Sequence, residues 1–167
     1  NRMWRLGYSI FRKEIGILKA SHVGNPGDVF RALDSDVPTI INPYSRKISH
    51  PRQLTTHNKV FGNYNLYFKN LSKINFNYVY QKNRREEFDF RLGLSDEIPS
   101  IDITLQTHDL NIDYESNKSG SLSWKTGLKV TFQDNYSDPE TGVKRLIPDY
   151  LRSEIGGYFL TAFVPSN

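Results

Sequence analysis

Residues 83–91, NRREEFDFR, place three arginines and three carboxylates within nine positions. Paired carboxylates at this density are what a glycosidase-like acid and base would need. In an extended strand, however, alternate residues share a face, so Glu87 and Asp89 fall beside Arg85 and Arg91. Mutual charge compensation then accounts for the acids without catalysis. Arg85, Glu87, Asp89 and Arg91 are left as candidate ligand contacts, while Arg84, Glu86 and Phe88 belong to the opposite face.

The remaining reactive side chains are scattered. The four histidines, His22, His50, His57 and His108, show no i, i+2 or i, i+4 spacing, and with no cysteine in the chain no metal site is expected. The segment NPYSRKISHPRQ sets Arg46, Lys47 and Arg52 near Tyr44, a combination able to grip an anionic ligand. His22, Tyr44 and Arg46 therefore join the candidate binding residues. There is no phosphate-binding glycine loop, nucleophile elbow or His-Glu-x-x-His. No cofactor is implied, and the chain is not expected to be an enzyme.

The elements that carry these residues read as strands. Ten Tyr and ten Phe against one Met favour β structure. In residues 121–133, Leu122, Trp124, Thr126, Leu128, Val130 and Phe132 alternate with Ser123, Lys125, Gly127, Lys129 and Thr131. From Leu122 to Phe132 the rise is about 34 Å, and a tilt near 40° reduces it to about 26 Å, the height of a membrane barrel's apolar band. Residues 57–68 repeat the pattern with Val60, Tyr64 and Leu66, residues 73–83 with Phe76, Tyr78 and Tyr80, and residues 103–115 with Leu110, Ile112 and Tyr114. The opening segment offers Trp4, Leu6, Tyr8 and Ile10, and the last Tyr158, Leu160, Ala162 and Val164. About six strands in an all-β antiparallel meander are expected.

Their connections alternate in length. Residues 69–73 and 116–120 are short turns, whereas 14–56, 84–102 and 134–150 are long and polar. A helical turn is expected at GDVFRAL, with Asp28 as its N-cap. Short turns at one end and long loops at the other suit an outer-membrane barrel. A soluble antiparallel sheet with one wet face also alternates, but here Tyr, Trp and Phe gather toward strand ends as interfacial girdles would. On the barrel reading Tyr64, Leu66, Phe76, Tyr78, Leu122, Trp124, Leu128, Val130 and Phe132 face lipid.

Charge excludes little else. Twenty-two basic and 18 acidic residues are interspersed, so the net +4 is no nucleic-acid signature. The first residues lack a signal peptide's apolar core, which suits an interior piece or a mature product.

The stretch YQKNRREEFDFRLGLSDEIPSIDITLQTHDLNIDYE resembles the barrel region of TonB-dependent outer-membrane receptors of the ferric-siderophore type. The likeness rests on Asn83, Arg84, Glu86 or Glu87, Phe88, Asp89 and Arg91, then Ile98, Pro99 and Asp102, then Leu105, Thr107 and His108. KEIGILKASHVGNPGDVFRAL and RLIPDY extend it over nearly the whole chain. The resemblance implies that residues 1–167 are part of a large transmembrane β-barrel, with no plug domain among them. It also implies location in a bacterial outer membrane and uptake of a scarce ligand such as a ferric siderophore. Implied partners are outer-membrane lipid, the remaining barrel and plug, the TonB complex through regions outside this chain, and surface lipoproteins or other envelope proteins. Nucleic acid is not among them. Two other readings stand beside it: a soluble β-rich module binding glycan or nucleic acid, and a structural barrel component of an envelope complex.

Overall fold

The computed structural model describes residues 1–17, 26–37, 43–89, 97–116, 122–145 and 147–163. Six strands, β1 (Arg2–Gly16), β2 (Arg52–Tyr67), β3 (Lys73–Phe88), β4 (Ile101–Glu115), β5 (Leu122–Ser137) and β6 (Tyr150–Phe163), form one sheet in sequential order. Every neighbouring pair is antiparallel. A single short helix, α1 (Pro26–Leu33), and a 3-10 turn at Pro139–Thr141 are the other described elements. The all-β meander expected from the alternation is what forms, and the sheet is not closed.

The strands outrun the expected bounds. β3 continues to Phe88, β4 starts at Ile101 and β5 runs to Ser137, so residues assigned to loops extend the ladder. The reason is cross-strand pairing of the charged ends: polar residues that break an apolar pattern still complete backbone hydrogen bonds and pair with each other. Asp28 is not a cap, because α1 starts two residues before it, at Pro26. The expected turn at 69–73 forms tightly. Leu71 takes a left-handed φ of 64°, and Asn70 Oδ1 accepts from the Ser72 amide at 3.2 Å and its hydroxyl at 2.6 Å. The turn expected at 116–120 lies mostly outside the described residues.

Register decides which side chains share a face, since directly opposed residues project the same way. Trp4, Tyr64 and Phe76 are aligned across β1 to β3, and Phe76, Ile112 and Leu128 across β3 to β5. Tyr78, Leu110, Val130 and Ile155 make the next row. The nine residues expected to face lipid therefore lie on one face. Rings gather at both ends of this band. Tyr114 stacks near Trp124 at 4.8 Å and Trp124 near Phe159 at 5.8 Å, while at the other end Tyr80 lies 4.8 Å from His108. One row further, Asn58, Lys82, Gln106 and Asp134 align, and the apolar band stops on β2 to β5 while Ile10 and Leu151 continue it on the edge strands.

The opposite face is amide-rich. Asn75 Nδ2 donates to Asn65 Oδ1 at 2.9 Å, and Asn65 Nδ2 to Asn63 Oδ1 at 2.6 Å. The expected phase of the last strand is wrong: Tyr158, Leu160 and Ala162 lie on this polar face, opposite Gly127, Lys125 and Ser123. Val164 lies outside the described residues. Tyr158, Phe159 and Leu160 make both phases apolar, so alternation could not decide. Packing decides it instead: the Tyr158 ring lies over Gly127, and its hydroxyl donates to Asp113 Oδ1 at 2.5 Å.

A Cβ on Gly127 would stand 2.3 Å from the Tyr158 ring and 2.6 Å from Asp113 Oδ1, whereas one on neighbouring Gly157 meets nothing closer than 3.5 Å. Gly127→Ala must therefore displace the ring and its hydrogen bond, and is expected to lower the denaturant midpoint of the folded protein. Gly157→Ala is expected to leave it nearly unchanged. Equal midpoints for both variants would remove Tyr158 from the register argument.

Among the described residues no second layer of secondary structure covers either face. Among the described residues Phe88 and Pro51 are the buried apolar side chains. Accessible surface totals 12538 Å², against roughly 8,500 Å² for a compact monomer of 19.4 kDa.

Candidate functional site

The charged end of β3 is divided by strand phase. On the polar face Arg85 forms an ion pair with Glu87 two residues on, the compensation expected from alternation. Asp89 lies just past the strand end, where Ser100 Oγ donates to its Oδ2 at 2.9 Å. Ser100 also fastens the start of β4 through its amide, 2.6 Å from Glu87 O. Arg85, Glu87 and Asp89 are thus consecutive groups on one rim.

On the other face Arg84 grips Asp102 with both ends of its fork, Nε to Oδ1 at 3.0 Å and Nη2 to Oδ2 at 2.6 Å. Glu86 lies 3.2 Å from the same nitrogen. Asp102 is 7% exposed, so its hydrogen bond to the guanidinium is strong enough to hold Arg84 above its ordinary pKa. Arg52 continues the rim, 2.6 Å from Glu14 and with its guanidinium carbon 4.4 Å from the Phe88 ring centroid. These pairs are joints between strands.

Arg46 Nε lies 3.4 Å from the Tyr44 hydroxyl, and Tyr44 is 88% exposed. His22 and Arg91 lie outside the described residues.

Sequence reading missed the segments that roof the rim, residues 138–145 and 147–149. They are fastened on the polar-face side: Asn135 Nδ2 donates to Pro148 O at 3.1 Å, Ser137 Oγ to Ile147 O at 3.0 Å, and the Ser137 amide to Asp149 Oδ1 at 2.7 Å. Asp149 also holds Arg145 at 2.6 Å. Asp138 caps the 3-10 turn by accepting from the Glu140 amide at 2.8 Å, and Gly142 ends it with φ 68°. DPETG carries this in sequence, Asp as cap, Pro at the first position and Gly at the end. Under the roof is a cavity of about 140 Å³. Ile101 and Ile103 line its strand side and Val143 and Ile147 its loop side, with Asp89, Ser100 and Lys144 among its polar residues.

Because Asp149 satisfies both Arg145 and the Ser137 amide, Asp149→Ala is expected to loosen the roof by about 1 kcal/mol. Limited trypsin digestion should then cut after Lys144 or Arg145 faster than in the parent protein. Unchanged cleavage would mean that the other two anchors suffice.

No protein-family model, no curated protein and no solved structure matches this chain.

Proposed function

We propose that residues 1–167 form part of the wall of a TonB-dependent receptor in a bacterial outer membrane, taking up a scarce ligand such as a ferric siderophore. One observation carries the reading: a one-layer sheet presents an apolar, ring-bordered face with no other described element packed against it. In water such a face is an aggregation surface, whereas in a bilayer it is the required one. Strands of 14–16 residues exceed the 9–11 or so that cross the hydrocarbon. The surplus is the charged rim beyond Tyr80. The apolar face then meets lipid, the amide-rich face lines the lumen, and the roofed rim faces the medium. β1 and β6 need strand neighbours, because an unpaired edge in lipid leaves backbone groups unsatisfied.

In this reading ligand recognition belongs to loops and lumen-side groups, Arg85, Glu87 and Asp89 first, and passage requires energy coupling through parts outside this chain. No covalent step is involved. Cell fractionation tests it. The full-length protein should be recovered in the outer membrane and migrate faster before boiling than after. Should residues 1–167 expressed alone prove monomeric, soluble and cooperatively folded in buffer, the membrane reading fails and a soluble binding module takes its place.

A further inference from the structure

Segments 138–145 and 147–149 spend three anchors and an ion pair to hold open a space that their own apolar side chains do not fill. Val143 and Ile147 are 44% and 46% exposed although both line the cavity. Its volume of about 140 Å³ is close to that of an engineered apolar cavity, about 150 Å³, that takes up one benzene. The isoleucines and the valine suit a flat hydrocarbon body. They offer nothing to a sugar, whose hydroxyls need amides and carboxylates on every side.

The rim adds one polar demand. Asp102 has both oxygens engaged by Arg84 on the other face of the sheet. Asp138, also at the cavity, accepts from the Glu140 amide at 2.8 Å, and a carboxylate has about four acceptor sites. The Asp89 carboxylate stands at the same rim beside Ser100. A ligand hydroxyl entering here can donate to a carboxylate, and the Lys144 ammonium stands in the same lining as a donor to its oxygen.

We propose that this cavity binds a single phenolic ring, its face on Ile101 and Ile103 and its hydroxyl donating to a rim carboxylate. The anchored roof makes the site pre-formed, so little ordering cost opposes binding. A role for the ring as part of an imported ligand rests on the receptor reading; the cavity itself does not.

The test uses full-length protein in detergent micelles and phenol as the probe, read by saturation-transfer NMR. Transfer to phenol should exceed transfer to toluene, which has the same shape and no donor, by at least about threefold, and Val143→Trp, which fills the cavity from the loop, should abolish the difference. Ile147→Trp fills it from a second position and serves where the first variant does not assemble. Equal transfer to phenol and toluene, or phenol transfer unchanged in both filled variants, overturns the proposal. Absence of phenol transfer in a heat-modifiable outer-membrane protein overturns it while leaving the receptor reading intact. Cavity-dependent phenol transfer in a protein that never reaches the outer membrane upholds the site and sinks the receptor.

Discussion

On the proposed barrel reading, Leu128→Arg is expected to leave the full-length protein unassembled, with loss of the heat-modifiable band and of protein in the outer-membrane fraction. Leu128 stands between Ile112 on β4 and Gly157 on β6, and two residues from Val130 along its own strand. It is central to the apolar band and 45% exposed. An arginine facing lipid near the bilayer midplane costs about 2 to 4 kcal/mol, a large share of the roughly 5 to 15 kcal/mol that holds a typical domain together. Lys129→Glu is the matched control. It reverses a charge one residue away, but on the face that carries Asn111 opposite, where water and amides solvate either sign. Assembly of Leu128→Arg at the parent's yield would show that this face does not meet lipid. Equal failure of both variants would point to general intolerance in β5 rather than to a membrane-facing side.

Five of the six strand phases were legible because one alternating set was apolar and the other was not. In β5 the contrast between Leu128, Val130 and Phe132 and their neighbours Lys129 and Thr131 leaves a single solution. β6 lacked that contrast. Tyr158, Phe159 and Leu160 satisfy either phase, and its orientation depends on the space above Gly127 and on Asp113, contacts 31 and 45 positions away in the chain. Strand ends were underestimated for a related reason. Apolar periodicity stops where the environment changes, whereas the hydrogen-bonded ladder continues for as long as charged residues find cross-strand partners, as Arg84 does in Asp102. Within β3 alternation alone divided the charge cluster correctly, Arg85 and Glu87 on one face and Arg84, Glu86 and Phe88 on the other. The cavity was invisible, because Ile101, Ile103, Val143 and Ile147 meet through a loop fold that no periodicity encodes; only the cap signals in DPETG hinted at order there.

Arg84→Ala is expected to cost more stability than Asp102→Ala, although both remove the same ion pair. Deleting the guanidinium strands a carboxylate that is 7% exposed and takes away both of its side-chain hydrogen bonds. An unmet buried acceptor costs about 1 to 3 kcal/mol. Because Arg84 itself is 49% exposed, water can follow into the gap, and the lower half of that range is the expected loss. Deleting Asp102 instead leaves Arg84 facing solvent with Glu86 still 3.2 Å away, so the cation is not abandoned. The double variant should then resemble Asp102→Ala alone, since no buried charge is left without its partner. Denaturant midpoints of the four proteins, measured on refolded protein, give the coupling directly. Additive losses would show that the pair is a surface ornament. A strong non-additivity would establish it as the joint that locks β3 to β4 at the point where Asp102 O also receives the Asp138 amide, 2.9 Å away, and so carries the roof of the rim.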